Sequence, residues 1–332
     1  MNDKHTAIDL FCGAGGLSKG FEMAGFEILG GIDFDKSSIE TFKGNHPDAL
    51  AVCDDIKKID AKQFMKSIGK SSADIIIGGP PCQGFSMAGR RDSKDPRNSL
   101  FMEFLRFVND LKPKWFVMEN VLGILTSKTA EGKFVKDIIE NEFKKLGYSV
   151  KYEKLNSADY GVPQTRRRVI FIGTRIKTGI EYPKPTHSNK FRMDVGLREL
   201  KPWVSVKNVI LPKSKVDESF FHSKKMIEGF RRRKEINEIR GAGFGWQILK
   251  PEMPSYTISA RYWKDGSDAL VRYSENEVRM LTPLEAARIQ SFPDDFVFCG
   301  SKKEQYRQIG NAVPPLLAKA VAETVKKNLG DS

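Results

Sequence analysis

The run Asp74 to Ser86, DIIIGGPPCQGFS, puts a cysteine sulfur directly behind two prolines at the end of an apolar stretch. Pro80 and Pro81 fix the backbone ahead of Cys82, and a polar, Gly-punctuated loop with Arg90, Arg91 and Arg97 follows. Fixed geometry and neighbouring guanidinium groups favour a thiolate, so Cys82 reads as a nucleophile. The other three cysteines, Cys12, Cys53 and Cys299, are widely scattered and form no CxxC pair. They read as inert small hydrophobes, with neither a disulfide framework nor a zinc knuckle among them. A second reactive group interrupts FVMENV (Phe116 to Val121), a strand too apolar to carry Glu119 without a partner. A carboxyl group beside a thiolate is an acid and nucleophile pair. Gln164-Thr165-Arg166-Arg167-Arg168 precedes another apolar run, and period-two alternation sends Arg166 and Arg168 to one side and Arg167 to the other. Two guanidinium groups facing one way can hold a phosphate and a base carbonyl, although the run alone reads equally well as a surface patch.

The segment Asp9 to Phe21, DLFCGAGGLSKGF, sets three glycines between a strand and a helix. Such a turn lets a ligand approach the backbone beside the free amides of a helix N-terminus. Its GxGG spacing is not the GxGxxG of dinucleotide binders, and no Lys-Ser or Lys-Thr pair follows as in a phosphate loop. Asp33 closes the next strand, where a carboxylate can bind ribose hydroxyls and Phe34 can stack on a base. Asp54-Asp55-Ile56 offers a further acceptor for an adenine amino group.

Positioning these groups requires a layered α/β scaffold. Short apolar runs alternate with amphipathic stretches through the first half, the pattern of a doubly wound, mainly parallel sheet. Strands are expected at Thr6 to Phe11, Glu27 to Asp33, Ala73 to Gly78, Trp115 to Glu119, Ser149 to Asn156 and Arg168 to Thr174. Ile75-Ile76-Ile77 is the signature of a strand covered on both faces. From about Tyr182 to Ser274 Pro, Gly, Lys and Arg rise and periodicity weakens, which reads as a second, loop-rich domain. Thr282-Pro283-Leu284-Glu285 is a capping box with Pro at the first helical position. A final helix after Pro314-Pro315 carries Leu317, Val321, Val325 and Leu329 on one stripe and stops at Gly330.

The chain has 332 residues, 40% of them hydrophobic, and 55 Lys plus Arg against 42 Asp plus Glu give a net charge of +13. That composition excludes a disordered or fibrous protein. Residues 1 to 150 hold 21 basic and 21 acidic side chains, 151 to 280 hold 27 and 15, and 281 to 332 hold 7 and 6. The excess therefore lies almost wholly in the loop-rich stretch, which points to a polyanion as partner. Aromatics are interleaved there, and Arg231-Arg232-Arg233-Lys234 forms its densest run, which on its own could equally be a solvated face. No secretory leader and no membrane-spanning run is present, so a cytoplasmic protein is expected.

Taken together and in order, DLFCGAGG, GGPPCQGFS, ENV, QTRRRV, LTPLEAARIQSFPDDF (Leu281 to Phe296) and QIGNAVPP (Gln308 to Pro315) resemble the blocks of the DNA cytosine-5 methyltransferases of prokaryotic restriction-modification type. The resemblance implies a catalytic and cofactor-binding domain over 1–181 plus 303–332 and a smaller target-recognition domain over 182–302. It implies S-adenosylmethionine as cofactor, held by Phe11, Gly13, Gly16, Asp33, Phe34, Asp55, Ile56, Asn311 and Val313. By the same matching, Cys82 is the nucleophile toward carbon 6 of a flipped-out cytosine, Glu119 contacts its amino group and ring nitrogen 3, and Arg166 and Arg168 anchor the nucleotide. Gln83, Ser86, Arg90, Arg91, Arg97, Thr257 and Arg261 are the implied DNA contacts, the first five on a loop that closes over the duplex. Double-stranded DNA is the implied partner of a monomeric enzyme, with a restriction endonuclease as a possible companion at the same site. Two alternatives stay open: a tRNA cytosine-5 methyltransferase on the same blocks, whose Cys-Phe-Thr signature is absent here, and a catalytically inactive DNA-binding homologue. A nicotinamide oxidoreductase is disfavoured by the glycine spacing.

Overall fold

The computed structural model of the chain describes residues 4–81, 98–129, 131–189, 200–239 and 246–329. Cys82, Gln83, Ser86, Arg90, Arg91 and Arg97 lie outside the described residues. In chain order the elements of the first half are β1 Thr6–Leu10, α1 Gly16–Met23, β2 Glu27–Asp33, α2 Lys36–Asn45, β3 Leu50–Cys53, α3 Ala61–Ser67, β4 Ile75–Gly78, α4 Asn98–Leu111, β5 Trp115–Asn120, α5 Val135–Lys145, β6 Ser149–Asn156 and β7 Arg167–Thr174. There follow β8 His187–Ser188, β9 Lys201–Pro202, α6 Lys224–Ile239, β10 Leu270–Ser274, β11 Glu277–Met280, α7 Pro283–Ile289, α8 Lys302–Asn311 and α9 Pro315–Leu329.

Seven strands form one sheet in the order β3-β2-β1-β4-β5-β7-β6. β3, β2, β1, β4 and β5 are mutually parallel, and β7 runs antiparallel to both β5 and β6. The expected doubly wound, mainly parallel sheet is therefore present. Ile75, Ile76 and Ile77 are each fully buried, so β4 is covered on both faces, and each side chain contributes about 1.5–3 kcal/mol of burial. A Cβ on Gly78 would lie 2.2 Å from the Leu10 carbonyl oxygen, so only glycine lets β4 end this close to β1. The chain leaves β1 toward β2 on one side and returns at β4 on the other. Strand order reverses there, which opens a crevice beyond the carboxyl ends of β1 and β4.

By their contacts the residues fall into two compact units, 1–156 with 167–184 and 317–332, and 157–166 with 185–316. This division departs from the one expected of the sequence at 157–166, 182–184 and 303–316, and the first and last of these segments belong to the second unit. Both segments are stitched into the second unit: Gln164 bonds Gln290 at 3.1 Å, and Tyr306 and Ile309 join a core with Ile258, Tyr262, Ile289 and Phe292. The stripe Leu317, Val321, Val325 and Leu329 of α9 is buried, and Lys326 donates to the Ala24 carbonyl within the first unit.

The second unit is more ordered than its composition implies. Its capping box at Thr282 and Glu285 forms as expected, and a second one, Ser301 with Glu304, starts α8. The 16-residue helix α6 occupies the stretch read as loop. Its apolar stripe is short: Ile227 and Phe230 are buried and pack with Leu270 and Val278 of the β10–β11 hairpin. The surrounding lysines and arginines hide that stripe from a hydrophobic periodicity. No helix among the described residues is long and apolar enough to cross a membrane.

Candidate active site

The turn after β1 is built around two carboxylates. Phe11 takes φ 61 although it has a side chain, and Gly13 (φ 53) and Gly15 (φ 90) follow in the same left-handed region. A non-glycine residue held there is strained, a state that clusters at ligand sites. A Cβ on Gly15 would strike His46 Nε2 at 2.6 Å, whereas one on Gly13 would meet nothing within 4 Å. Gly15 is thus required by α2 packing, and the space beside Gly13 is open to a ligand. The Gly13 amide donates to Asp33 Oδ2 and the Asp35 amide to Asp33 Oδ1, both at 2.9 Å. Burial pushes the Asp33 carboxyl up from its ordinary value, against those hydrogen bonds. Phe34 beside it is 75% exposed, a large apolar ring left mostly uncovered. Asp55 caps the short 3-10 turn Ile56–Lys58 by accepting from the Lys57 amide, and the Ile56 side chain is buried beneath.

Asp9 completes this turn and was not read as a site residue from the sequence. It is 1% exposed and accepts a 2.6 Å hydrogen bond from the Ser18 hydroxyl of α1. Burial, opposed by that bond and reinforced by Asp33, pushes its carboxyl from the usual 3.8 up to about 7. The signal was available: a carboxylate within AIDL is as anomalous as Glu119 within FVMEN.

The neighbouring strand ends bring the second set of groups together. Glu119, near the end of β5, meets Arg168 of β7 through Nε at 2.7 Å, the two side chains only 12% and 13% exposed. The partner demanded by an apolar strand is thus this guanidinium. A Cβ on Gly79 would sit 3.2 Å from Glu119 Oε2, so the carboxylate lies over the backbone three residues ahead of Cys82. Asn120, also missed, donates from Nδ2 to the Pro80 carbonyl at 2.9 Å and accepts from the Val121 amide at 3.0 Å. The ENV block therefore both presents the carboxylate and pins the proline pair. Cys12 is buried, and its thiol is pushed well above the ordinary value by burial and by Asp9 and Asp33. Cys53 ends β3 exposed, its Sγ 3.8 Å from the Phe34 carbonyl.

The arginine run divides between the two units. Arg166 is 1% exposed and donates to the main-chain carbonyls of Ile258 (3.1 Å) and Gly310 (2.8 Å) inside the second unit. The expectation of two arginines facing one ligand is corrected accordingly. β7 begins only at Arg167, so alternation does not extend back to Arg166. Thr257, exposed, donates from its hydroxyl to the Thr165 carbonyl at 2.8 Å. Arg261 is exposed, and its guanidinium has no partner among the described residues. Asn311, exposed, ends α8, and Val313 is buried just beyond it, both in the second unit.

Comparison with known proteins agrees with this arrangement. The family model for C-5 cytosine-specific DNA methylase matches residues 5–327. The type II methyltransferase M.DdeI of Desulfomicrobium norvegicum is 37% identical over 372 residues, covering 96% of this chain and 88% of that one. M1.HphI of Haemophilus parahaemolyticus is 39% identical, covering 97% and 87%. Among solved structures, a prophage-encoded candidate DNA modification methyltransferase of E. coli superposes with a TM-score of 0.73 at 27% identity over 98% of this chain and 99% of that one. A family match from residue 5 to 327, with relatives 37% and 39% identical across nearly the whole chain, places this chain in the C-5 cytosine-specific DNA methylase family, as a DNA cytosine-5 methyltransferase.

Proposed function

We propose that the crevice beyond β1, β4 and β5 is where cofactor and target cytosine meet, and that Cys82, Glu119 and Arg168 carry the chemistry. The observation behind this reading is the switch point itself, with the strained Phe11 turn on one strand and the Glu119–Arg168 pair on the second strand over. S-adenosylmethionine fits the turn: Gly13 leaves open space, Asp33 offers lone pairs to ribose hydroxyls, and Phe34 offers an uncovered ring face to adenine. When bound, it supplies the methyl group that carbon 5 of cytosine takes up. Phe11, Gly16, Asp55 and Ile56 complete its proposed contacts.

Carbon 5 is a poor nucleophile until the ring is made electron-rich. The Cys82 thiolate forms a bond to carbon 6 while Glu119 hydrogen-bonds ring nitrogen 3 and the amino group, which turns the ring into an enamine. After alkylation, loss of the carbon 5 proton to solvent water lets the carbon–sulfur bond break with its electron pair returning to the Cys82 sulfur, which restores aromaticity. Arg168 holds the Glu119 carboxyl in place for this and faces the same nucleotide. Arg166 acts instead as a strut tying the Ile258 and Gly310 carbonyls together. The base is reached only when extruded from the duplex, at a cost of about a few kcal/mol that backbone contacts offset. The second unit supplies recognition, with Thr257 and Arg261 among its contacts, and Gln83, Ser86, Arg90, Arg91 and Arg97, which lie outside the described residues, are further DNA contacts in this reading. The names of the type II relatives support a cognate endonuclease acting at the same site.

Cys82→Ala tests the assignment. Bisulfite sequencing of a co-expressed plasmid is expected to show protected cytosines with the parent and none with the variant, while binding of S-adenosylmethionine is retained. Normal protection by the variant would refute it.

A further inference from the structure

Four of the six cations in α6 fall in the run Arg231 to Lys234, but the arginines there do different jobs. Arg231 donates to the Glu275 carbonyl in the turn between β10 and β11. Arg232 is exposed, with no partner among the described residues. Arg233 lies over the Phe230 ring at 4.9 Å and reaches Asp265 Oδ2 at 3.2 Å. Asp265 belongs to the loop Arg261–Gly266, and its other oxygen accepts from the Ser267 amide at 3.1 Å.

That loop is held in a conformation with little freedom. Gly266 takes φ 63, and a Cβ there would meet Met280 Cβ at 2.5 Å. Tyr262 is buried, donating to the Ala269 carbonyl at 2.6 Å and accepting from the Leu281 amide at 2.7 Å. Ser259 accepts from the Arg261 amide and donates to Asp268 at 2.6 Å. Every one of these polar groups is turned inward, and the loop leaves the Arg261 side chain outside. An ion pair as exposed as Arg233–Asp265 adds little to global stability. Its consequence is geometric, because Asp265 is the only side chain of the loop tied to α6 among the described residues.

We propose that Arg233 is a positioning residue for sequence discrimination: through Asp265 it fixes the direction in which Arg261 is presented to the duplex. This rests on the proposed reading of Arg261 as a DNA contact, taken here as a contact to a base. A base contact by an arginine needs both of its nitrogens in register with the base edge. A loop free to rock by an ångström at Asp265 would blur that register while leaving the fold intact.

The experiment compares the parent with Arg233→Ala, Arg233→Lys and Arg261→Ala, all as full chains. Bisulfite sequencing of one plasmid gives, for each, the ratio of methylation at the preferred site to that at sites differing by one base pair, and the melting temperature is recorded beside it. Arg233→Ala and Arg261→Ala are each expected to lower the ratio by about tenfold, the scale of one lost bidentate contact. Arg233→Lys keeps a charge opposite Asp265 and is expected to recover most of the loss, with all melting temperatures near that of the parent. Should Arg261→Ala lower the ratio and Arg233→Ala leave it at the parental value, the inference fails and the reading of the loop stands. A parental ratio in Arg261→Ala would overturn the reading of the loop and the inference with it. A uniform loss at all sites with a lowered melting temperature in Arg233→Ala would show a merely structural role and also overturn it.

Discussion

Glu119 shows how a single side chain can be assigned by the cost of its surroundings. Carrying it in β5 requires a partner, and Arg168 supplies one at 2.7 Å. Glu119→Gln keeps the shape and one acceptor oxygen but loses the charge and the ability to deliver a proton. Single-turnover methylation is expected to slow by about 100-fold or more, with DNA affinity by titration changed by about threefold at most. Asp9 belongs to the same class and went unread because its role is inside the scaffold. Its folded-state value is about 7 against an ordinary 3.8, so between those values the folded chain keeps a proton that the unfolded chain has lost. Stability therefore falls as pH rises through that window. Asp9→Asn retains an acceptor for Ser18 and removes the titration. Its melting temperature is expected to be flatter than the parent's between pH 4 and 7; identical slopes would contradict the assignment. Arg166 was misread for a local reason. Alternation is a property of strands, and the strand begins one residue later.

At the level of elements, the sheet was legible wherever burial made runs continuous. β2 and β6 have the expected bounds, and the others differ by one or two residues at an end. β3, with only four half-covered or exposed residues, carried too little apolar signal. α6 and α8 were unread for opposite reasons. α6 has a short stripe under many cations, and α8 places Tyr306 and Ile309 inside among otherwise polar residues. The LTPLEAAR block was read as a capped helix, and its glutamate does more than cap. Glu285 accepts from the Thr282 and Leu211 amides and holds Arg279 through both oxygens at 2.8 Å, each side chain wholly buried. Glu285→Ala would strand a buried guanidinium, and urea unfolding is expected to show a loss of about 3–5 kcal/mol. Replacing the pair together by Arg279→Met and Glu285→Leu is expected to cost less than Glu285→Ala alone, since no lone charge remains.

Across the whole molecule, charge is unevenly distributed along the chain. Cys82 and Glu119 lie in the first 150 residues, with 21 basic and 21 acidic side chains, whereas Arg168 and the excess of 27 over 15 fall between 151 and 280. A basic excess of this kind favours sequence-independent attraction to a polyanion. The six blocks were enough to identify the family from sequence because they recur together and in order, and they span turns as well as strand ends and the capped helix α7. Which bases are read was not legible, because specificity depends on the direction of a few side chains. The central claim is a transient bond between the Cys82 sulfur and carbon 6 of an extruded cytosine. A duplex bearing 5-fluorocytosine at the methylated position, incubated with enzyme and S-adenosylmethionine, blocks the loss of the carbon 5 substituent and traps that bond. The account predicts a denaturation-resistant complex whose modified peptide contains Cys82; no complex, or one mapping to Cys12, Cys53 or Cys299, would contradict it.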